Sequence, residues 1–387
     1  MLAGATWNYL FEVDRDSISR AVSARLPVPE ELLTEYLRRH SAIHKASWAD
    51  RGGLSFIAAP LDGSVPTDLL KSLIDEAYEL MSAKMDDRER LRVDLVDGID
   101  GDDLVVLDRL IDAHKLTDQR EEIHGLARRA ILMRTSSSTE DIAIGASKLR
   151  GEPDLPYGFE WPELNGRPLA FLAQIDMREA AKLGASIDGL PKEGLLSLFS
   201  AWAWVDEDGG GPQILGFDVE EMKRLDLQGQ PGWTIVLHTP PSQPLTRRPA
   251  PKDTNPLDLP PAGVELTPLT SLPSDRREPT MAALKWSDEL HDRFAEMESD
   301  FKSVLMARWL GDMDSLASHH LLGGYATFQQ QFPMELAEDD RAMLLQIGTD
   351  DKINMWWGDG GNLIFYVDAD ALDEGRFERL WCDCQGG

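Results

Sequence analysis

The chain has 387 residues, 42% of them hydrophobic and 28% charged, an ordinary globular composition with room for two domains at roughly 100–200 residues each. Its formal net charge of −29 repels a phosphate backbone and an anionic lipid surface alike, which excludes nucleic acid and membranes as partners and leaves a basic protein as the partner the charge suits. Residues 1–7 lack the basic start and apolar core of a secretion signal, and the longest apolar stretch, 194–205, falls short of the about 20 residues of a spanning helix, so a cytoplasmic protein is expected.

Residues 1–125 read as a smaller, mostly helical N-terminal region of unassigned role. Pro29 opens a helix in which Leu32, Leu33, Tyr36 and Leu37 share a face, and Arg38, Arg39 and His40 close the last turn. A short strand is predicted over 54–58. Pro66 opens a longer helix whose Leu69, Leu70, Leu73, Ile74, Ala77, Tyr78 and Met81 form one apolar stripe, which is core. The carboxylate run DLVDGIDGDDLVVLD at 94–108 lacks calcium-loop spacing, because oxygen ligands would fall on Ile99 and Gly101, or on Leu104. It is expected to be a solvated loop between helices.

From Ile131 the texture changes to short apolar runs broken by Pro and Gly. Residues 126–387 are therefore expected to form a second, mainly β domain, making the whole an α+β protein. A strand is predicted over 233–238, and the eleven prolines of 240–279 predict an extended surface loop or an irregular edge. Ser287 caps a helix with Leu290, Phe294, Met297, Phe301 and Leu305 on one face. Ser299 and Lys302 lie within it as S-x-x-K, without the companion signatures of a serine acylase. One pattern occurs twice: Leu172-Ala173-Gln174-Ile175 followed by Gly194-Leu195-Leu196 returns in outline as Leu344-Leu345-Gln346-Ile347 followed by Gly361-Asn362-Leu363. The paired order predicts a duplicated β unit and hence two similar β-rich halves.

Those residues, together with Gly145-Ala146-Ser147-Lys148-Leu149, Gly151-Glu152-Pro153-Asp154-Leu155-Pro156, Trp161-Pro162, Leu321-Leu322-Gly323-Gly324-Tyr325 and Trp357-Gly358-Asp359-Gly360-Gly361, resemble the YwqG-like family, a bacterial domain of unknown function. The resemblance covers about residues 130–387. The family pattern favours two glycines after Ser-Lys-Leu, and here Arg150 takes the place of the first. What the resemblance implies is a strand-dominated fold of two similar halves, with no reaction attached. Relatives that look like components of toxin–immunity loci imply an immunity-type protein that binds a toxin.

The common catalytic signatures are missing. Residues 145–149 end in Leu instead of completing G-x-S-x-G, no H-E-x-x-H occurs, and Gly209-Gly210-Gly211 lacks the G-K-[ST] of a phosphate loop and reads as a hairpin turn. Adjacent His319 and His320 do not converge on one ion and are assigned a structural role; Cys382 and Cys384 supply too few ligands for zinc and are expected on opposite faces of a strand. No catalytic residue, metal or cofactor is expected. The binding candidates are Trp161, Gln174, Gln346, Trp357 and Asp359. Of Trp356 and Trp357, one can line a groove while the other fills the core, and Asp359 beside glycines is first a turn former. Two functions stand side by side: a non-enzymatic protein-binding module of immunity type that neutralises a basic bacterial toxin, or a small-molecule-binding protein or enzyme with a pocket between the halves built from Gln174, Gln346, Trp357 and Asp359.

Overall fold

The computed structural model describes residues 13–15, 22–28, 30–39, 43–45, 55–60, 64–83, 85–98, 102–136, 142–164, 166–183, 189–203, 213–214, 234–251, 260–310, 319–330, 332–333, 341–357, 360–374, 376 and 380–386. The chain divides into two compact units, Met1–Lys115 with Ser299–Asp314, and Leu116–Glu298 with Ser315–Gly387.

The first unit contains β1 (Val13–Arg15), β2 (Val22–Val28), α1 (Glu30–Arg39), β3 (His44–Lys45), β4 (Ser55–Pro60), α2 (Thr67–Ser82), α3 (Asp87–Gly98) and α4 (Asp103–Ala113). Its strands form an antiparallel sheet in the order β1-β2-β4-β3, so the region expected to be mostly helical carries a sheet as well. The helices show in sequence because their apolar residues keep a 3.6 period, whereas β2, VSARLPV, holds Arg and Pro and no clean alternation. Leu26, Ile57, Ala59, Leu73 and Ala77 are its buried core, with Leu69, Leu70 and Ile74 of the α2 stripe packed against them. The side chains of Tyr78 and Met81 lie outside the described ones.

The acidic run at 94–108 is not a long loop. Helix α3 continues to Gly98, and α4 begins at Asp103 with Asp102 as its N-cap, the carboxylate accepting the Leu104 N–H at 3.0 Å. Carboxylates at a helix N-terminus meet unsatisfied N–H groups, which is why so acidic a stretch is helical there. In the same unit, Asp300 is 1% exposed and accepts from Arg88 Nε at 2.5 Å and His114 Nε2 at 2.9 Å. Burial pushes its carboxyl up, but His114, Arg88 and Arg92 outweigh that and hold it below the usual range. Just beyond α4, exposed Lys115 sits at φ 58°, where a Cβ is strained. Lys115→Gly should therefore stabilise the chain by about 0.5–1 kcal/mol, read as a higher urea midpoint; an unchanged or lower midpoint would show that the side chain contributes more than the strain costs.

The second unit holds β5 (Arg128–Thr135), β6 (Lys148–Leu149), β7 (Asp154–Pro156), β8 (Glu163–Leu164), β9 (Arg167–Pro168), β10 (Ala170–Asp176), β11 (Leu195–Ser200), β12 (Trp202–Ala203), β13 (Gln213–Ile214) and β14 (Thr234–Thr239). There follow β15 (Leu245–Arg247), β16 (Ala262–Ser271), β17 (His320–Leu322), β18 (Arg341–Gly348), β19 (Asn362–Asp368) and β20 (Leu380–Gln385). Its helices are α5 (Arg120–Leu126), α6 (Met177–Lys182), α7 (Pro279–Ala282), the first part of α8 (Asp288–Leu310) and α9 (Ala369–Asp373). Among the described residues ten strands make one antiparallel sheet in the order β14-β11-β10-β6-β16-β5-β17-β18-β19-β20. The edge strands β14 and β20 approach each other, so the sheet curls towards a barrel. Its core includes Leu172, Leu198, Leu345, Trp357 and Phe365. Register breaks fall at Leu172 in the β10–β11 pair and at Leu344 in the β18–β19 pair.

Within the proline-rich stretch, β16 is a strand in the middle of this sheet. Antiparallel residues alternate the side to which their N–H points. The Val264 N–H donates to the Ser147 carbonyl on the β6 side at 3.2 Å, so Pro268, four residues on, turns its donorless nitrogen the same way. There β6 pairs only with Ala262 and Gly263, and no ladder bond is lost. Facing β5, the strand pairs continuously from Val264 to Ser271.

Ser287 caps α8 as expected, its hydroxyl accepting the Leu290 N–H at 3.3 Å, and Phe294, Met297, Phe301 and Leu305 are buried. Residues Gly209, Gly210 and Gly211 lie outside the described residues. The two thiols stand two apart in β20 and so share a face, both against the core, contrary to the expected opposite faces. Burial, with Asp383 adding to it, pushes the Cys384 thiol up to about 12, so it stays protonated.

Candidate functional site

The loop between β5 and β10 is pinned by one buried carboxylate. Asp154 and Lys148 are both 0% exposed, on the short strands β7, which pairs with β15, and β6, which lies between β10 and β16. Asp154 Oδ2 accepts from Gly145 N at 2.9 Å, Gln174 Nε2 at 2.7 Å and Lys148 Nζ at 3.2 Å, while Oδ1 accepts from Arg247 Nε at 2.9 Å. Arg247 also donates to the Ile142 carbonyl at 2.7 Å. Burial pushes the Asp154 carboxyl up, but Arg247, Gly145, Gln174 and Lys148 together hold it below the ordinary carboxylate range. The turn joining β6 to β7 takes Arg150 at φ 60° and Gly151 at φ 70°, so the cation that replaces a family glycine is held in a left-handed conformation.

This clamp holds two apolar groups out in solvent. Ile144, next to Gly145, is 58% exposed, and Tyr157, three residues past Asp154, is 92% exposed. Glu152, Glu160 and Glu163 are exposed in the same segment. Trp161 is half-buried, its Nε1 donating to the Leu169 carbonyl at 2.9 Å and its ring edge-on to Phe199 at 5.4 Å.

The candidates named from sequence divide accordingly. Gln174 is a strut of this clamp, and Trp161 packs against Phe199. Gln346 stands on β18, with β6, β16, β5 and β17 between it and β10. It is 0% exposed, accepts the Thr327 N–H at 2.9 Å and donates to the His319 carbonyl at 3.1 Å. Trp357 is also 0% exposed, whereas its neighbour Trp356 is 37% exposed. Asp359 lies outside the described residues. Sequence reading missed Asp154, Arg247 and Tyr157; the signal for the last was the turn Pro156-Tyr157-Gly158, a place where an aromatic points outwards by default.

A second buried cluster surrounds His320. Its Nδ1 accepts the Gly348 N–H at 3.2 Å, so in the neutral ring the proton is on Nε2, which faces Asp350 Oδ2 at 3.3 Å. Thr135 and the Lys352 N–H also donate to Asp350. Burial raises that carboxyl, and His320 and Thr135 more than reverse the effect. With both ring nitrogens engaged, His320 serves as a strut. Among the described residues no three His, Cys, Asp or Glu side chains gather as metal ligands, and no helix is long and apolar enough to cross a membrane.

A family model described as a domain of unknown function, DUF1963, matches residues 147–385. No curated protein matches the chain. Since the match takes in more than half of the chain, the protein belongs to this family, the same one its YwqG-like residues point to.

Proposed function

We propose that the domain is a non-enzymatic, cytoplasmic protein-binding module that takes a basic partner, of which a cognate bacterial toxin is the favoured class, on the surface carrying Ile144 and Tyr157. The observation that carries this reading is an aromatic side chain 92% exposed on a loop clamped by a fully buried carboxylate. A rigid Tyr contributes contact area at low entropic cost, and the neighbouring glutamates in a chain of net charge −29 suit a cationic partner. Capture from the native host, followed by surface kinetics over a salt series, tests it. Association should slow as salt rises, and Tyr157→Ala should speed dissociation enough to cost about 2 kcal/mol while leaving the unfolding midpoint unchanged. A captured partner whose association ignores salt and whose affinity ignores Tyr157→Ala would sink the proposal.

The same reading includes the two similar halves. Four pairs of hydrogen bonds support it: Gln174 to Ala146 O and Gln346 to His319 O; Asp154 N to Gln174 and Thr327 N to Gln346; Asp176 N to Ser147 Oγ and Gly348 N to His320 Nδ1; Arg150 N to Leu172 O and Gly323 N to Leu344 O. The sequence offsets within these pairs agree to one residue throughout, as a duplication requires.

A further inference from the structure

We propose that the cavity beside the Tyr325 turn binds a small carboxylate bearing an apolar group, with the carboxylate held by Arg128 and the hydroxyl of Tyr366. The cavity holds about 80 Å³ and is lined by these residues together with Arg341, Tyr325, Phe328, Phe332 and Met343, all of the second unit.

Tyr366 sets the chemistry. It stands on β19, its ring edge-on to Trp381 at 5.6 Å, and is 5% exposed. Its hydroxyl has no hydrogen-bond partner among the described residues. A buried hydroxyl left unpaired costs about 1–3 kcal/mol, which an acceptor brought by a ligand would recover. Burial first, then Glu278, Asp383 and Cys382, push the phenol well above its ordinary value, so it stays protonated and offers a donor.

Two guanidinium groups stand beside that hydroxyl in the lining. Arg128 lies over the Tyr325 ring at 4.4 Å, and Arg341 reaches Asp368 through Nε at 3.4 Å. Arg341 is balanced by Asp368 and Glu278 stands in the same lining, so an anion's contacts there are local ones, to the Arg128 guanidinium and the Tyr366 hydroxyl. Guanidinium and phenol donors together suit a carboxylate, and the Phe328–Phe332 pair, edge-on at 5.5 Å, with Met343 supplies the apolar wall. The cavity is smaller than the roughly 150 Å³ that admits benzene, so the apolar group is a short branched or linear alkyl chain.

Ligand-observed NMR on the full chain with isobutyrate and its neutral isostere isobutyramide tests the assignment. Isobutyrate should bind about tenfold more tightly than the amide. Tyr366→Phe, which keeps the ring, and Arg128→Gln, at the exposed rim, should each weaken isobutyrate about five- to tenfold. No isobutyrate binding, equal binding of the amide, or undiminished binding by both variants would overturn it.

Discussion

Asp154→Thr should destabilise the second unit by about 3–5 kcal/mol, because it leaves the ammonium of Lys148 buried without its carboxylate. Adding Lys148→Leu should recover most of that loss, since Arg247 is partly exposed and can turn to solvent while Lys148 cannot. Urea unfolding of the two variants checks both statements; a double variant as unstable as the single one would show that the cost lies in packing. The pH dependence follows from the depressed carboxyl. A group whose folded value lies below its unfolded one contributes above the unfolded pKa, about 3.9 for Asp, and loses that contribution as the pH falls through the folded value. The difference between wild type and Asp154→Thr should thus be largest near neutrality and shrink below about pH 4.

Gly361→Ala should cost more than about 4 kcal/mol, at the far end of what single substitutions do. A Cβ there would stand 1.8 Å from the Gln385 carbonyl oxygen and 2.6 Å from that of Trp357, and both are backbone atoms with no rotamer to change. The neighbouring Gly360 supplies the control. At φ 75° with nothing within 4 Å, Gly360→Ala meets only left-handed strain, about 1–2 kcal/mol. Thermal unfolding of the pair separates contact from strain. Equal loss in the two would mean that the β19–β20 edge gives way more easily than its geometry indicates.

Much of the second unit was legible in its residues, for reasons of period and order. The strands around Gln174 and Gln346 are apolar runs bounded by glycines, and such runs read as strands without any long-range information. Strand β16 was hidden because proline argues against strand, and only the pairing on its two sides shows that Pro268 has no donor to lose. The four-stranded sheet of the first unit was hidden for another reason: short strands with Arg and Pro have no clean period. At the candidate site, Gln174 and Trp161 were visible as residues in a recognisable pattern, but the hub was not. Arg247 reaches Asp154 across 93 residues of chain, a contact that no local spacing encodes. Nor does a sequence tell which aromatic faces water. Trp357 and Tyr157 have equal claims on paper, yet one is 0% and the other 92% exposed.

In the proposed duplication, the bonding frame around Gln174 is repeated around Gln346 with Leu321 in the place of Lys148 and Thr327 in the place of Asp154. The frame there keeps its bonds without a counterpart of the Lys148–Asp154 pair. Burying a charge pair seldom adds stability over an apolar equivalent, so on that proposal the Lys148–Asp154 pair, present on one side only, would mark a division of labour between the copies. On the same proposal the copy around Gln346 has its carboxylate elsewhere, Asp350 beside His320, and the copy around Gln174 has its ion pair in the loop that bears Tyr157. Sequence variation among relatives should be read copy by copy for that reason: tolerance at Leu321 and Thr327 says nothing about tolerance at Lys148 and Asp154.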